Sequence, residues 1–162
     1  MAVKTPIRDA AAGAQLVLAA MSFGQHRLFL PQHEISSLES VLDLQQQEAI
    51  APAVGVIVLA GEAWPVYCLS GEEWGMTTAI PASRRICLLL DDGRYQLALL
   101  CDQVESLARS PRLYPLPACM AQPAALVEAL VTQDEHSVGC MTTTARLAAF
   151  CQRYIQQEEG NG

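Results

Sequence analysis

Four times along this chain two short apolar runs lie on either side of a turn, and that repetition directs it to a β fold. The pairs are Gln15–Phe23 with Arg27–Pro31 around Gly24-Gln25-His26, and Val54–Ala60 with Ala63–Leu69 around Gly61-Glu62. The others are Arg84–Leu90 with Tyr95–Leu100 around Asp91-Asp92-Gly93-Arg94, and Leu126–Thr132 with Val138–Met141 around Asp134-Glu135-His136. Runs this short around a turn, three of the four turns holding a glycine, are the pattern of antiparallel hairpins. Val54–Ala60 is rich in β-branched residues and has the continuous apolar character of a strand covered on both faces. Pro65 cannot donate to a ladder, which predicts an edge or a bulge there. The stretch Ala124–Leu130, which follows Pro123, reads equally well as a short helix, because periodicity does not separate the two in so short a run.

The remaining segments fall between these pairs. In His33–Leu44 the apolar residues Ile35, Leu38, Val41, Leu42 and Leu44 have the spacing of a short helix or turn packed on a sheet. Gln45–Ala53 is a polar connector, and Ser70–Ser83, with glycines and Pro81, reads as a loop between two halves. Asp102–Arg109 keeps Val104 and Leu107 as apolar positions. Ser110–Pro123 carries prolines 111, 115, 117 and 123 and reads as an extended loop. Over Thr143–Gln157, Leu147, Phe150, Cys151, Tyr154 and Ile155 form the stripe of an amphipathic helix, with Thr142 or Thr143 as its cap and Gly160 as its stop. About eight short strands in two groups predict a pair of small β-barrels or a sandwich. The organisation is then a disordered tail over 1–13, one domain over 14–155 with halves 14–83 and 84–155, and a tail over 156–162.

Composition narrows the function classes. The 162 residues are 51% hydrophobic and only 17% charged, with a net charge of −7. Ten Lys and Arg against seventeen Asp and Glu, without a basic cluster, argue against a nucleic-acid binder or an anionic-membrane binder. So few charges on an apolar chain imply surface hidden in a protein partner. The longest charge-free apolar stretch near the start, Leu16–Phe23, is far shorter than a membrane span, and no secretory signal pattern is present, which points to the cytoplasm. The six cysteines (68, 87, 101, 119, 140 and 151) form no CxxC pair, and His26, His33 and His136 have no ligand spacing. Most of these thiols read as small buried hydrophobes, and no metal or cofactor is expected. No GxSxG is present, and the neighbouring carboxylates Glu72 and Glu73 do not converge on one substrate, so an enzyme is not the expectation.

The segment Gly55-Val-Ile-Val-Leu-Ala-Gly61-Glu-Ala-Trp-Pro65-Val-Tyr-Cys-Leu69 resembles the core motif of the CheW family, roughly G-V-x-N-L-R-G-x-x-x-P-V-x-D-L. Gly55, Val56, Leu59, Gly61, Pro65, Val66 and Leu69 stand in matching positions. Asp102 and Val104 in LALLCDQVESL are similar to the V-D-x-V turn of that family, and Phe29-Leu-Pro31 followed by Ile35 and Leu38 resembles its L-P-x-x-x-V-x-x-I segment. The resemblance runs from about Gln15 to Phe150. It implies two five-stranded SH3-like barrels side by side, with a short helix in the first half and the C-terminal helix. It also implies a non-catalytic scaffold in chemotaxis or pilus-motility signalling. Such a scaffold couples the signalling tip of methyl-accepting chemoreceptors to a CheA-type histidine kinase. The first barrel docks the kinase's regulatory domain, and the receptor tip lies in the groove between barrels.

On that resemblance the partner-binding candidates are Ile35, Ser37, Leu38, Val58, Leu59, Ala60, Gly61, Asp102 and Val104. Each has a plainer reading beside it: Ile35 and Leu38 as a core stripe, Val58–Gly61 as a simple turn between strands, and Asp102 as a turn residue accepting backbone N–H bonds. Trp64 reads as core, whereas Trp74, in the Gly-flanked loop GEEWGM, is a candidate exposed anchor. This chain departs from the family where it has Val58 for Asn, Ala60 for Arg and Cys68 for Asp. Each change removes a polar group, and an arginine is a common interface anchor. Two alternatives follow: a diverged interaction module that no longer couples receptor to kinase, and a thiol-based redox sensor or enzyme.

Overall fold

The apolar runs pair as antiparallel hairpins in the computed structural model, which describes residues 17–71, 74–107, 111–119, 125–132 and 138–160. The expected tail over 1–13 and the turn Asp134-Glu135-His136 lie outside the described residues. In chain order the elements are β1 (Leu18–Phe23), β2 (His26–Pro31), β3 (Ile35–Ser40), β4 (Gly55–Leu59), β5 (Glu62–Cys68), β6 (Ile86–Asp91) and β7 (Gln96–Cys101). They continue with β8 (Gln103–Ser106), β9 (Arg112–Pro115), β10 (Ala129–Thr132), β11 (Val138–Met141) and α1 (Thr144–Gly160). One six-stranded sheet has the order β8-β1-β2-β11-β10-β9, and one five-stranded sheet the order β3-β6-β7-β5-β4. The structure is mostly β with a single C-terminal helix among the described residues, as the sequence pattern predicts.

The sheets do not follow the division at residues 83/84. The five-stranded sheet takes β3, β4 and β5 from one side of it and β6 and β7 from the other, while β1 and β2 join β8 to β11. The expected pair of five-stranded units is thus one sheet of six and one of five. The chain leaving β3 crosses to the far edge of its own sheet, where Gln45 and Val56 exchange backbone bonds of 2.9 and 3.0 Å, so the five-stranded sheet curls toward closure.

Strand alternation divides the apolar residues among three cores. Along β1, Leu18 and Ala20 pack with Phe29, Leu113 and Val131 on one face of the six-stranded sheet, while Ala19, Met21 and Phe23 point the other way. In β6 and β7, Cys87, Leu89, Ala98 and Leu100 join Ile57, Trp64 and Cys68 inside the five-stranded sheet. Their neighbours Leu88, Leu90, Leu97 and Leu99 turn outward to meet β1 and β2, with Leu147 of α1 sealing this middle core. Strands covered on both faces are continuous apolar runs. The shortage of charge is therefore used inside the molecule, between its sheets, and is not by itself a sign of hidden partner surface.

Several expectations change in detail. Ile35–Ser40 is a strand and not a short helix: it pairs antiparallel with β6, with a bulge between Ile35 and Ser37, and its residues alternate half-buried and exposed. The free edge of β6 supplies ladder partners that outweigh a weak helical spacing among three serines. Short 3-10 turns at Gln32–Glu34 and Val41–Asp43 flank it, the second capped by Ser40 Oγ, which accepts from the Leu42 N–H at 3.1 Å. Arg112–Pro115 is also a strand where a loop was expected, and Pro115 is tolerated because β9 is an edge. Ala129–Thr132 settles as strand. Pro65 lies on an inner strand without a bulge. Its partner Val56 gives both backbone bonds to Gln45, and pairing with β7 begins only at Val66, so no donor is needed from Pro65.

The helix forms as its stripe predicts and runs on to Gly160, into the stretch expected as a tail. Thr143 Oγ1 caps it by accepting from the Arg146 N–H at 3.2 Å. A second cap comes from afar. Buried Glu34 accepts from the Thr144 N–H at 2.7 Å, placing a carboxylate at the positive end of the helix.

Candidate docking surface

The candidate residues separate into three places. Ile35, Ser37 and Leu38 lie on β3, one edge of the five-stranded sheet. Ile35 is half-buried against the middle core, and the Ser37 hydroxyl donates to Glu39 Oε1 at 3.1 Å. Leu38 stands opposite Leu88, a middle-core residue, so it shares that face, yet it is 52% exposed. Val58, Leu59, Ala60 and Gly61 form the end of β4 and its turn, at the other edge. Leu59 packs against the interior of the sheet, while Val58 is 51% exposed.

Val58 and Leu38 occupy the same face of the sheet. Ile57 and Trp64 point inward, so Val58 and its partner Ala63 point outward, on the side where Tyr67 meets the middle core. The two exposed apolar side chains thus stand on one face of the five-stranded sheet, on its two edge strands. The connector between β3 and β4 adds Leu42 and Ile50, 89% and 83% exposed, which no sequence pattern singled out as surface.

The turn that joins β4 to β5 is Ala60-Gly61, one residue earlier than expected, with φ of 51° and 81°. Two central residues with positive φ make the tight hairpin turn whose twist matches the flanking strands. Gly61 accepts this freely. Ala60 does so at a cost of roughly 1 kcal/mol.

Asp102 and Trp74 gather at the tip of the β1–β2 hairpin, away from both edges. Asp102 Oδ2 accepts from the Gly24 N–H at 2.6 Å, and Oδ1 accepts from Arg84 Nη1 at 2.6 Å. Arg84, only 4% exposed, also donates from Nη2 to the Leu69 carbonyl at 3.0 Å and lies over the Phe23 ring. Burial pulls the Asp102 carboxyl up, but the Gly24 N–H, the Arg84 guanidinium and the Ser83 hydroxyl outweigh it and hold it below the usual range. This is the turn-residue reading of Asp102, extended into a joint between the sheets. Val104 is half-buried against the middle core on β8, paired with Met21. Trp74 is half-buried, held edge-on to Phe23 at 5.5 Å, whereas Trp64 is core. Arg84 went unremarked in the sequence because nothing there separates it from Arg85.

Cys68 is fully buried beside Arg84. Burial raises its thiol more than the Arg84 charge lowers it, and burial pushes Cys87, Cys101 and Cys151 up to about 12. Thiolates are disfavoured at all four. Among the described residues no cluster of His, Cys, Asp or Glu is arranged to hold a metal ion, and no helix is long and apolar enough to cross a membrane.

Neither a family model nor a curated protein sequence matches this chain. Its fold is similar to the crystal structure of the scaffolding protein TtCheW from Thermoanaerobacter tengcongensis, with a TM-score of 0.60 and 16% sequence identity. The likeness covers 80% of this chain and 89% of that one.

Proposed function

We propose that this chain is a non-catalytic, cytoplasmic scaffold that couples a chemoreceptor signalling tip to a CheA-type histidine kinase in chemotaxis or pilus motility. The observation that carries the reading is the placement of Leu38 and Val58, two exposed apolar side chains on the two edge strands of one sheet. Two apolar surfaces, one on each edge strand, let a single body hold two partners at once, which raises their effective concentration for one another. The likeness to a scaffolding protein supports the same reading. On this account Leu38, with Ser37 and the outer part of Ile35, forms one surface, and Val58 with the Ala60-Gly61 turn forms the other. Asp102, Val104, Leu59 and Cys68 shape the fold behind them.

The test is capture of the purified regulatory domain of a CheA-type kinase by this protein, with Leu38→Glu and Val58→Glu measured separately. Loss of capture in one variant and not the other assigns the kinase surface; capture unaffected by either removes the proposed surfaces. A second reading, a module that no longer couples its partners, is favoured by one observation: Ala60 stands exposed in the turn where the family has arginine. Ala60→Arg then creates coupling where the parent shows none.

A further inference from the structure

The acidic excess of this chain lies in one stretch. Between Arg27 and Arg84 there is no Lys or Arg, while seven of the seventeen acids fall there. The other ten acids are matched by the ten Lys and Arg, so residues 28–83 carry the whole net charge of −7. Glu72 and Glu73 of this stretch lie outside the described residues, and Glu34 is engaged in capping α1. Asp43 and Glu48 stand exposed on the connector from β3 to β4, and neither joins an ion pair among the described residues.

The same connector holds Leu42 and Ile50, the two most exposed large apolar side chains among the described residues. It is a strap tied down along its length. Val41 and Leu44 pack against the core of the five-stranded sheet, and Gly55 leaves the room that Leu44 fills. The Val41 N–H donates to the Arg85 carbonyl at 3.0 Å, Gln45 pairs with Val56 through both of its backbone groups, and the Ile50 carbonyl accepts from the Ala53 N–H at 3.0 Å. Leu42 and Ile50 are thus displayed by an anchored strap, Leu42 next to Asp43 and Ile50 two residues from Glu48. Arg85 is exposed at the end of the strap where Val41 is tied.

We propose that the strap over residues 41–50 docks a basic amphipathic helix of a protein partner, its aliphatic face on Leu42 and Ile50 and its Lys or Arg on Asp43 and Glu48. Exposed aliphatic side chains favour an apolar cover. Unpaired carboxylates beside them select positive charge and repel a nucleic acid or an anionic membrane. They also disfavour the same strap of a second copy, which would set acid against acid. The Gln45–Val56 pairing takes up backbone groups that an added strand would need, so the occupant is read by its side chains. A helix offers these with its own backbone satisfied. The strap is distinct from the surfaces around Leu38 and Val58, and the inference stands whether or not the chain couples receptor to kinase.

The test titrates a synthetic amphipathic helix of leucine and lysine into the full-length protein and follows the backbone amides by NMR. Saturable shifts should centre on residues 41–50. The same peptide with glutamate in place of lysine, and one of the same leucine and lysine content in scrambled order, should each bind about tenfold more weakly or not at all. Leu42→Ser/Ile50→Ser should weaken the leucine–lysine helix about tenfold with unchanged thermal unfolding. Asp43→Asn/Glu48→Gln should weaken it at low salt and flatten its dependence on NaCl. Shifts centred elsewhere, equal binding of the glutamate or the scrambled peptide, or an affinity that neither double variant changes would overturn the proposal. So would self-association of the protein that Leu42→Ser/Ile50→Ser abolishes, because the strap would then belong to a second copy.

Discussion

Arg84 and Asp102 meet at 2.6 Å where the two sheets join, and between them they tie four parts of the chain. Asp102 reaches Gly24 at the tip of the β1–β2 hairpin, and Arg84 reaches Leu69 at the end of β5. Removing the acid leaves a buried cation uncompensated. We predict that Asp102→Ala destabilises the protein by about 3 kcal/mol, the lower end for a broken buried pair because Asp102 keeps some exposure. The double variant Arg84→Met/Asp102→Ala should cost less than the sum of the single changes in urea unfolding. Additive costs would show that the pair is not coupled.

The same joint sets a dependence on acid. Asp102 has a folded pKa below its unfolded one, so it contributes stability above the unfolded value of about 4 and loses it as acidification passes the folded value. Urea midpoints of the parent protein should therefore fall steeply below about pH 4. Asp102→Asn should start lower at neutral pH and fall less on acidification. Equal acid slopes in the two proteins would assign the effect to other carboxylates.

Ala60 holds a positive φ that glycine adopts without strain. Ala60→Gly should stabilise by about 0.5–1 kcal/mol despite removing a methyl group, and Ala60→Val should destabilise by more than that. Thermal unfolding of the three proteins checks the order.

Glu34 caps α1 from 110 residues away. Glu34→Ala should cost about 1–2 kcal/mol and leave the Thr144 N–H without its acceptor. Hydrogen exchange should then rise across the first turn of α1 before it rises in β6 and β7. Uniform loss of protection would show that Glu34 supports the core and not the helix.

Thiol chemistry separates the scaffold from a redox sensor. Cys119 is exposed, whereas Cys68, Cys87, Cys101 and Cys151 are buried with raised pKa values. Among these five, native alkylation at neutral pH should modify Cys119 fast and the buried four only on unfolding, and Cys119→Ser should remove that fast phase. Fast reaction at any buried thiol would favour the sensor.

How legible all this was depends on how local the physics is. The hairpin around Asp91–Arg94 was readable because its turn is made by its own residues: Asp92 Oδ1 accepts from the N–H groups of Arg94 and Tyr95, and Gly93 takes φ 87°. The stripe of α1 was readable for the same reason. Ile35–Ser40 was misread because its strand exists only by pairing with β6, some fifty residues on. The exchange of strands across residues 83/84 is likewise long-range and leaves no local mark. At the candidate surfaces, the sequence brought out Leu38 and Val58 but not the distinction between them and Leu59 or Val104. That distinction rests on which face each strand presents, and a bulge at Ser36 is enough to change it. Glu34 and Arg84 were invisible because their partners are brought to them by the finished fold.

The central claim is that one rigid body bridges two partners. Sedimentation of receptor signalling domains with a CheA-type kinase, in the presence and absence of this protein, tests it most directly. The account predicts that kinase pellets with receptor only when the protein is present, and that Leu38→Glu and Val58→Glu each abolish this while the variants remain folded. Kinase that sediments equally without the protein, or not at all with it, would contradict the account.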